Sequence, residues 1–372
     1  MDLFRKTRRG ADALALLIQR SHFGGRDPLA PTVFIDLMQP IPIRTLREMM
    51  IVFSEGGYSI WLRGKFNRWC LHVAEDLRWH DNTYLAWERP RPCSNLTLCT
   101  DSSERINESG FRKVIYLYYD YSPKLSLSER HFTMPVPMHP QLYVEYFEVK
   151  RLEVYRSNPR RLRILFSGNC DEEGYDQPII REVYGKLSRL EIMKAIQARH
   201  WGRWVSVAAL SELFKQDDYH NEFLLLDRTM RINQQNWLTT VSQADFFLCP
   251  PGIIFAWSYN LVEAMAVGTI PITNYPEWFF PPLKHGINAL TFTTIDELGE
   301  AIEFARRMSD TQIARMRINV SAYYEAHLEL KSFVKRLMDD PAQTIHLHLW
   351  KEHEASAREA YLGTNQPIVK LT

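Results

Sequence analysis

Residues 244–290 read ADFFLCPPGIIFAWSYNLVEAMAVGTIPITNYPEWFFPPLKHGINAL. Phe246–Cys249 is an apolar run of the kind buried on both faces of a parallel sheet. Pro250-Pro251-Gly252 stops it. A helix follows, with Leu261, Ala264 and Met265 on one side and Ser258, Asn260 and Glu263 near its start. Gly268 closes this helix, and Ile270-Pro271-Ile272 opens the next strand. A loop entering a helix at the carboxyl end of a strand is where an α/β sheet holds phosphate. The turn after Cys249 is therefore expected to aim backbone amides at an anion. Ser258 and Asn260 stand at the helix start, where the first N–H groups lack intrahelical acceptors; Ser258 is equally suited to an ordinary N-cap. Gly252 reads as a site of positive φ or close ligand approach, or as a simple strand-ending turn.

The 372 residues are enough for two domains. The chain is 45% hydrophobic and 24% charged, a globular profile, and its formal net charge of +1 gives no global reason to expect nucleic acid. Aromatics make up 12%; extra core is the first explanation, a sugar-binding cleft the second. The cysteines, at 70, 93, 99, 170 and 249, form no CxxC pair, which argues against a disulfide framework and for a reducing compartment. The first 23 residues are basic, then mildly apolar: a poor secretory signal, too short to span a bilayer, and at most a peripheral membrane contact through Arg5, Lys6, Arg8 and Arg9. A cytoplasmic protein is expected.

Val33–Leu37 reads as a strand, and the helix after it places Leu46, Met49, Met50 and Phe53 on one face until Gly56-Gly57. With Tyr58–Leu62 as the next strand, this is a βαβ unit with a parallel pair. Leu96–Cys99 and Val114–Tyr118 are further strands. The alternation restarts near residue 160. Leu162–Phe166 is a strand followed by Ser167-Gly168-Asn169, Val183–Ala198 a helix, Phe223–Leu226 a strand ending at Asp227, and Trp237–Ser242 a helix. Leu298–Arg307, Ile313–Leu330 and Asp339–Tyr361 read as helical. The expected fold class is α/β with two Rossmann-like, doubly wound domains. Residues 1–155 form the first, 156–340 the second, and 341–372 a helical segment packing back on the first. His346 and His348, two apart, would lie on different faces of a helix and bind no metal together.

The segment Asp245–Pro271 resembles the C-terminal part of exostosin-type glycosyltransferases. Its matching features are the apolar strand, Pro251-Gly252, Ser258, Glu263-Ala264 and Gly268-Thr269-Ile270-Pro271. Most of the chain resembles, more loosely, GT-B glycosyltransferases, with enzymes that transfer Kdo from a CMP donor as a second likeness. Asn260 stands where exostosin-type chains carry Arg, and Phe255 where many retaining enzymes carry Glu. The resemblance implies two domains facing a cleft, with the donor nucleotide held by the second. It also implies transfer of a sugar from a nucleotide-sugar donor to a hydroxyl of a glycan or glycolipid, such as a surface polysaccharide. No Asp-x-Asp motif stands in a suitable loop, so metal-independent chemistry without a cofactor is expected.

On that resemblance Glu263 accepts bonds from the donor's ribose hydroxyls. Ser258, Asn260, Gly168, Asn169 and Gly252 surround its phosphates, and Arg163 offsets their charge, with solvated Arg as the plain alternative for the last. Asp227 is a candidate at the reacting carbon or an N-cap. An inverting enzyme needs a base near the acceptor hydroxyl; Asp36, Asp120 and His139 are the candidates. Trp278, Phe279 and Phe280 either stack on ligand or pack their own loop. A non-hydrolysing sugar-nucleotide epimerase and a non-catalytic nucleotide-sugar-binding module are the alternative functions.

Overall fold

The computed structural model describes residues 31–64, 83–86, 88–104, 106–144, 148–205, 222–226 and 232–363. Asp227, Cys70 and the basic segment at Arg5–Arg9 lie outside these residues. In chain order the elements are β1 (Thr32–Asp36), α1 (Ile43–Glu55), β2 (Ser59–Arg63), β3 (Thr83–Leu85), β4 (Leu96–Thr100), β5 (Lys113–Tyr118) and β6 (His131–Thr133). Next come β7 (Leu162–Phe166), α2 (Arg189–Ala198), β8 (Arg203–Val205), β9 (Phe223–Leu226), α3 (Gln234–Val241) and β10 (Ala244–Cys249). The chain continues through α4 (Tyr259–Ala266), β11 (Ile270–Thr273), β12 (Leu290–Thr291), α5 (Ile295–Arg307) and α6 (Asp310–Tyr323). It ends with α7 (Leu330–Asp339), β13 (Thr344–His348) and α8 (Glu354–Leu362).

These elements form two compact units, 1–134 with 330–372, and 135–329. The sequence expectation placed the joints at 155–156 and 340–341. Each unit carries a parallel sheet, so the fold is α/β and Rossmann-like in both halves. The first sheet has the order β3-β2-β1-β4-β5-β13-β6 and the second β12-β11-β10-β7-β9-β8. In each, the chain starts mid-sheet, winds outward one way, then crosses back. The crossing leaves a switch point beside the first strand, where α/β sheets bind ligands. That point lies between β1 and β4 in the first sheet and between β7 and β10 in the second. In the second sheet β8 occupies the edge outside β9, so the second and third strands exchange their usual places. Its residues Arg203 and Trp204 are exposed, as an edge permits.

In the first unit α1 buries Leu46, Met49, Met50 and Phe53 completely. The C-terminal return was expected to be helical throughout. It contains β13 instead, because Thr344-Ile345-His346-Leu347-His348 alternates with period two and buries Ile345 and Leu347. His346 and His348 therefore share one face. Trp350 then fixes the return to α1 by donating its indole N–H to the buried Glu48 carboxylate at 2.7 Å.

Two other helices are shorter than the hydrophobic pattern suggested. The stretch from Val183 to Ala198 is interrupted at Gly185 (φ +63°), and α2 restarts at a capping box between Ser188 and Glu191. The stretch after Ile313 ends at Glu329, whose extended backbone separates α6 and its terminal turn from α7.

Gly56, at the C-terminus of α1, leaves no room for a side chain: a Cβ there would meet Val334 Cγ1 of α7 at 2.5 Å. Gly56→Ala is expected to lower the denaturation free energy by about 1–3 kcal/mol, as overpacking does. Val334→Ala in the same chain should return part of that loss, since contacting sites couple. Equal midpoints for wild type and Gly56→Ala would contradict this packing.

Candidate functional site

The switch point of the second unit gathers the loop after β7, the turn after β10 and the start of α4. Every residue of β7 and β10 is buried, and they pair in parallel through Phe246↔Ile164 and Phe247↔Leu165. Their exit loops therefore leave the sheet side by side.

The expected donors are not those the turn supplies. Pro250 and Pro251 carry no N–H, and the Gly252 N–H is spent on the Ala256 carbonyl at 3.1 Å. Gly252 does not adopt positive φ. A Cβ there would meet the carbonyl oxygens of Phe255 and Trp257 at 2.8 and 2.7 Å, so its own loop requires glycine. What the turn presents is carbonyl oxygen, directed at Arg189. The Arg189 guanidinium donates to the carbonyls of Pro251 (3.1 Å), Asn169 (3.0 Å) and Pro250 (3.5 Å), tying both exit loops together. It lies 4.1 Å over the Tyr175 ring. Arg189 is 5% exposed, and no carboxylate pairs with it among the described residues. A buried cation held by carbonyl dipoles and one aromatic face, without a counter-charge, is electrostatically incomplete. The sequence reading missed it because Arg at a helix start looks solvated; the Ser188-x-x-Glu191 box was the available signal, placing Arg189 at the first helical position.

Asn260 joins this cluster. Its Nδ2 donates to the Ser167 carbonyl at 3.3 Å. A Cβ built on Gly168 would contact Arg189 Nη1 and Asn260 Nδ2, each at 3.6 Å. Gly168 thus lies directly against two donor groups, with the Phe166 ring nearest that Cβ at 3.4 Å. The Asn169 side chain forms a local turn with Asp171, while its carbonyl serves Arg189. Ser258 occupies the N-cap position of α4 but bonds the Tyr275 hydroxyl at 3.2 Å rather than a helix N–H. The other end of α4 is fixed by cations, which its dipole favours: Arg156 donates to the Ala266 carbonyl at 2.9 Å and Arg160 to that of Val267 at 2.8 Å.

Arg163 is not brought to this cluster. It sits in the amino-terminal half of β7, paired with Asp245 at 3.0 Å, both nearly buried. Trp278 and Phe279 are buried in their own loop, Trp278 packing edge-on against Tyr184 and Phe255.

Glu263 is 2% exposed. Its Oε1 accepts from the His139 backbone N–H (2.9 Å) and its Oε2 from the Trp237 indole (2.6 Å). The carboxylate thereby links α4, α3 and the loop of His139, whose ring meets Tyr259 edge-on. Burial pushes its pKa up to about 7, against the two hydrogen bonds, which pull it down. Because the folded value exceeds the unfolded one, native Glu263 keeps its proton where the unfolded chain has lost it. The resulting stability is complete below about pH 4.5 and is lost as pH rises through 7.

In the first unit, Asp36 ends β1 fully buried, one oxygen on Arg63 (2.7 Å) and the other on Arg89 (2.6 Å). Asp101, after β4, accepts from the N–H groups of Met38 (2.6 Å) and Gln39 (3.2 Å) and fastens the neighbouring loop. Asp120 follows β5 and accepts from His348 at 2.7 Å. Among the described residues, no group of three His, Cys, Asp or Glu is arranged to hold a metal ion, and no helix is long and apolar enough to cross a membrane. The cysteines at 93, 99 and 249 are free thiols.

No family model matches the sequence, and no curated protein does. In structure the chain is similar to Anabaena HepE in complex with UDP-glucose, at 10% identity, over 82% of this chain and 98% of that one, with a TM-score of 0.38. It is similar to a glycosyltransferase of Rickettsia africae at 9% identity, over 84% and 99%, with a TM-score of 0.42. A third is AviGT4, a glycosyltransferase involved in avilamycin A biosynthesis, at 11% identity, over 90% and 99%, with a TM-score of 0.37.

Carbon NMR of labelled glutamate carboxyls should show one group, Glu263, titrating near pH 7. Trp237→Phe, which removes a donor to the carboxylate, should raise that midpoint further. A midpoint in the ordinary range of about 4–5 would contradict the enclosed environment.

Proposed function

We propose that this protein is a glycosyltransferase of GT-B type that moves a sugar from a nucleotide-sugar donor to a hydroxyl of a glycan or glycolipid. The observation that carries this reading is Arg189: a guanidinium 5% exposed, with no carboxylate partner among the described residues, at the switch point of a Rossmann-like sheet and in contact range of Gly168. A diphosphate supplies the missing charge and accepts from the remaining guanidinium N–H groups. Asn260 Nδ2 and the first amides of α4 add neutral donors on the same side. The exostosin-like motif supports the same assignment, since its strand, turn and helix form this site.

Such a cradle stabilises charge on the departing nucleoside diphosphate without a metal ion. Glu263 serves first as a positioning residue for α4 and His139. Ribose binding through it uses the second lone pair of an oxygen already bonded to the His139 amide or the Trp237 indole. Asp36, engaged by two guanidinium groups, holds its own loop in this scheme and does not act as a base.

A thermal-shift screen with UDP, GDP, dTDP and CMP sugars tests the reading, because donor binding raises the melting point by mass action. Gly168→Ala should fold normally, its Cβ making ordinary contacts, yet lose about tenfold or more in donor affinity, a cost of about 1.4 kcal/mol. Arg189→Lys should weaken binding as well, a point charge replacing the planar fork. Transfer should persist in EDTA. A screen without any shift, or equal shifts for wild type and Gly168→Ala, would contradict the assignment.

A further inference from the structure

Three imidazoles meet on one face at the edge of the first sheet. His346 and His348 stand two apart on β13, and His131 opens β6, the edge strand whose neighbour in the sheet is β13. The His131 ring stacks on His346 with centroids 4.4 Å apart, and its centroid lies 5.2 Å from that of His348. His131 Nδ1 lies 2.9 Å from His348 Nε2, and His348 Nδ1 lies 2.7 Å from Asp120 Oδ1. We propose that this cluster is an acid-sensitive clasp: it holds β6 on β13 while it carries no more than one added proton, and releases β6 when it must take a second. The clasp stands on the first unit alone and is independent of the sugar-donor reading.

Hydrogen-bond chemistry sets that limit. A bond between two imidazole nitrogens needs one N–H and one lone pair. In the neutral cluster the ionised Asp120 accepts from His348 Nδ1, so His348 Nε2 bears the lone pair and accepts from His131 Nδ1. One added proton, on either ring, leaves a lone pair on one of the two facing nitrogens, and Asp120 supplies the opposite charge. With both rings protonated, both facing nitrogens carry hydrogen, and the bond becomes a contact between two cations. A proton on His346 gives no relief, because it places a like charge against the face of His131.

The groups around the rings act in the same direction. Burial, then His131 and His348, push the His346 pKa down to about 4. Burial and His348 lower that of His131, and Asp120 raises it. From β5, the Tyr118 hydroxyl lies 2.9 Å from His346 Nδ1 and the Tyr116 ring stacks on His346 at 6.0 Å; burial keeps both phenols protonated. Arg130, just before β6, opposes a proton on His346, and Glu108, bonded to Tyr116 and Thr344, favours one. The folded values lie below the unfolded value of 6.5, so the released strand binds protons that the clasp refuses. Stability of this edge is therefore complete above about pH 7 and is lost as pH falls below 6.5. What opens is the backbone pairing of β6, including the bonds from the His346 N–H to the Arg130 carbonyl (2.8 Å) and from the Met134 N–H to the His348 carbonyl (3.0 Å). Arg130, held at a positive φ of 68°, is freed of its strain by the same opening.

Amide hydrogen exchange of the full chain between pH 8 and 5, corrected for the intrinsic exchange rate, reads the release directly. The opening constant at the His346 and Met134 amides should be level above pH 7. Below 6.5 it should rise about tenfold per pH unit for each proton refused, while the amides of β1 and β4 stay protected. Nitrogen NMR of the imidazoles should show no more than one of the three rings titrating near 6.5 in the folded protein. His346→Phe keeps a stacked ring and His131→Gln a polar group facing His348; each removes one site for a proton and should flatten the acid rise. If a variant is already open at neutral pH, the wild-type profile and titrations decide alone. A wild-type opening constant that stays level to pH 5, an equal rise across β1 and β4, all three rings titrating near 6.5, or an acid rise unchanged in both variants would overturn the clasp.

Discussion

The second unit is organised around one buried cation. Arg189 joins the exit loops of β7 and β10 by donating to carbonyls of both, and among the described residues no acid pairs with it. Each neighbouring feature follows from that demand. Gly185 turns the chain, the Ser188–Glu191 box starts α2, and the first residue of that helix is the arginine. Two prolines remove N–H groups that would oppose the guanidinium and leave their carbonyls free to face it. At the far end of α4, Arg156 and Arg160 complete the last carbonyls and hold the helix in place. An uncompensated charge would cost several kcal/mol if it served no purpose. The diphosphate proposed above would give it one.

The first unit solves a different problem with the same kind of sheet. Its carboxyl-end acids are committed to structure or to histidine: Asp36 to two arginines, Asp101 to the backbone of a neighbouring loop, Asp120 to His348. The C-terminal return completes this half. β13 enters between β5 and β6 and brings His346 and His348 onto the face that carries Tyr118 and His131. Without β13, β6 has no neighbour in the sheet and the cluster loses two of its three histidines.

Strands with continuous burial were legible because parallel sheets admit little else: Leu162–Phe166 and Phe223–Leu226 needed no tertiary information. The α1 face and its glycine stop were legible for the same reason. The strand Thr344–His348 was missed because polar residues alternate in it beside strong helical stretches, and five residues give periodicity little to act on. The break at Gly185 was visible as Ser-x-x-Glu but was outweighed by the apolar spacing around it. Glu263 was recognisable from its motif, whereas its partners His139 and Trp237 come from other segments. Arg189 and the Asp120–His348–His131 chain were not legible: the groups that give them meaning lie 62 and 228 residues away. Sequence spacing carries no trace of such distances.

The central claim is that the space between Arg189, Gly168 and Asn260 receives the phosphates of a nucleotide. A structure determined with bound nucleoside diphosphate tests it most directly. Phosphate oxygens should lie about 2.7–3.0 Å from the Arg189 guanidinium and near the first amides of α4. A nucleotide bound elsewhere on this unit, with Arg189 still held only by the carbonyls of Asn169, Pro250 and Pro251, would contradict it.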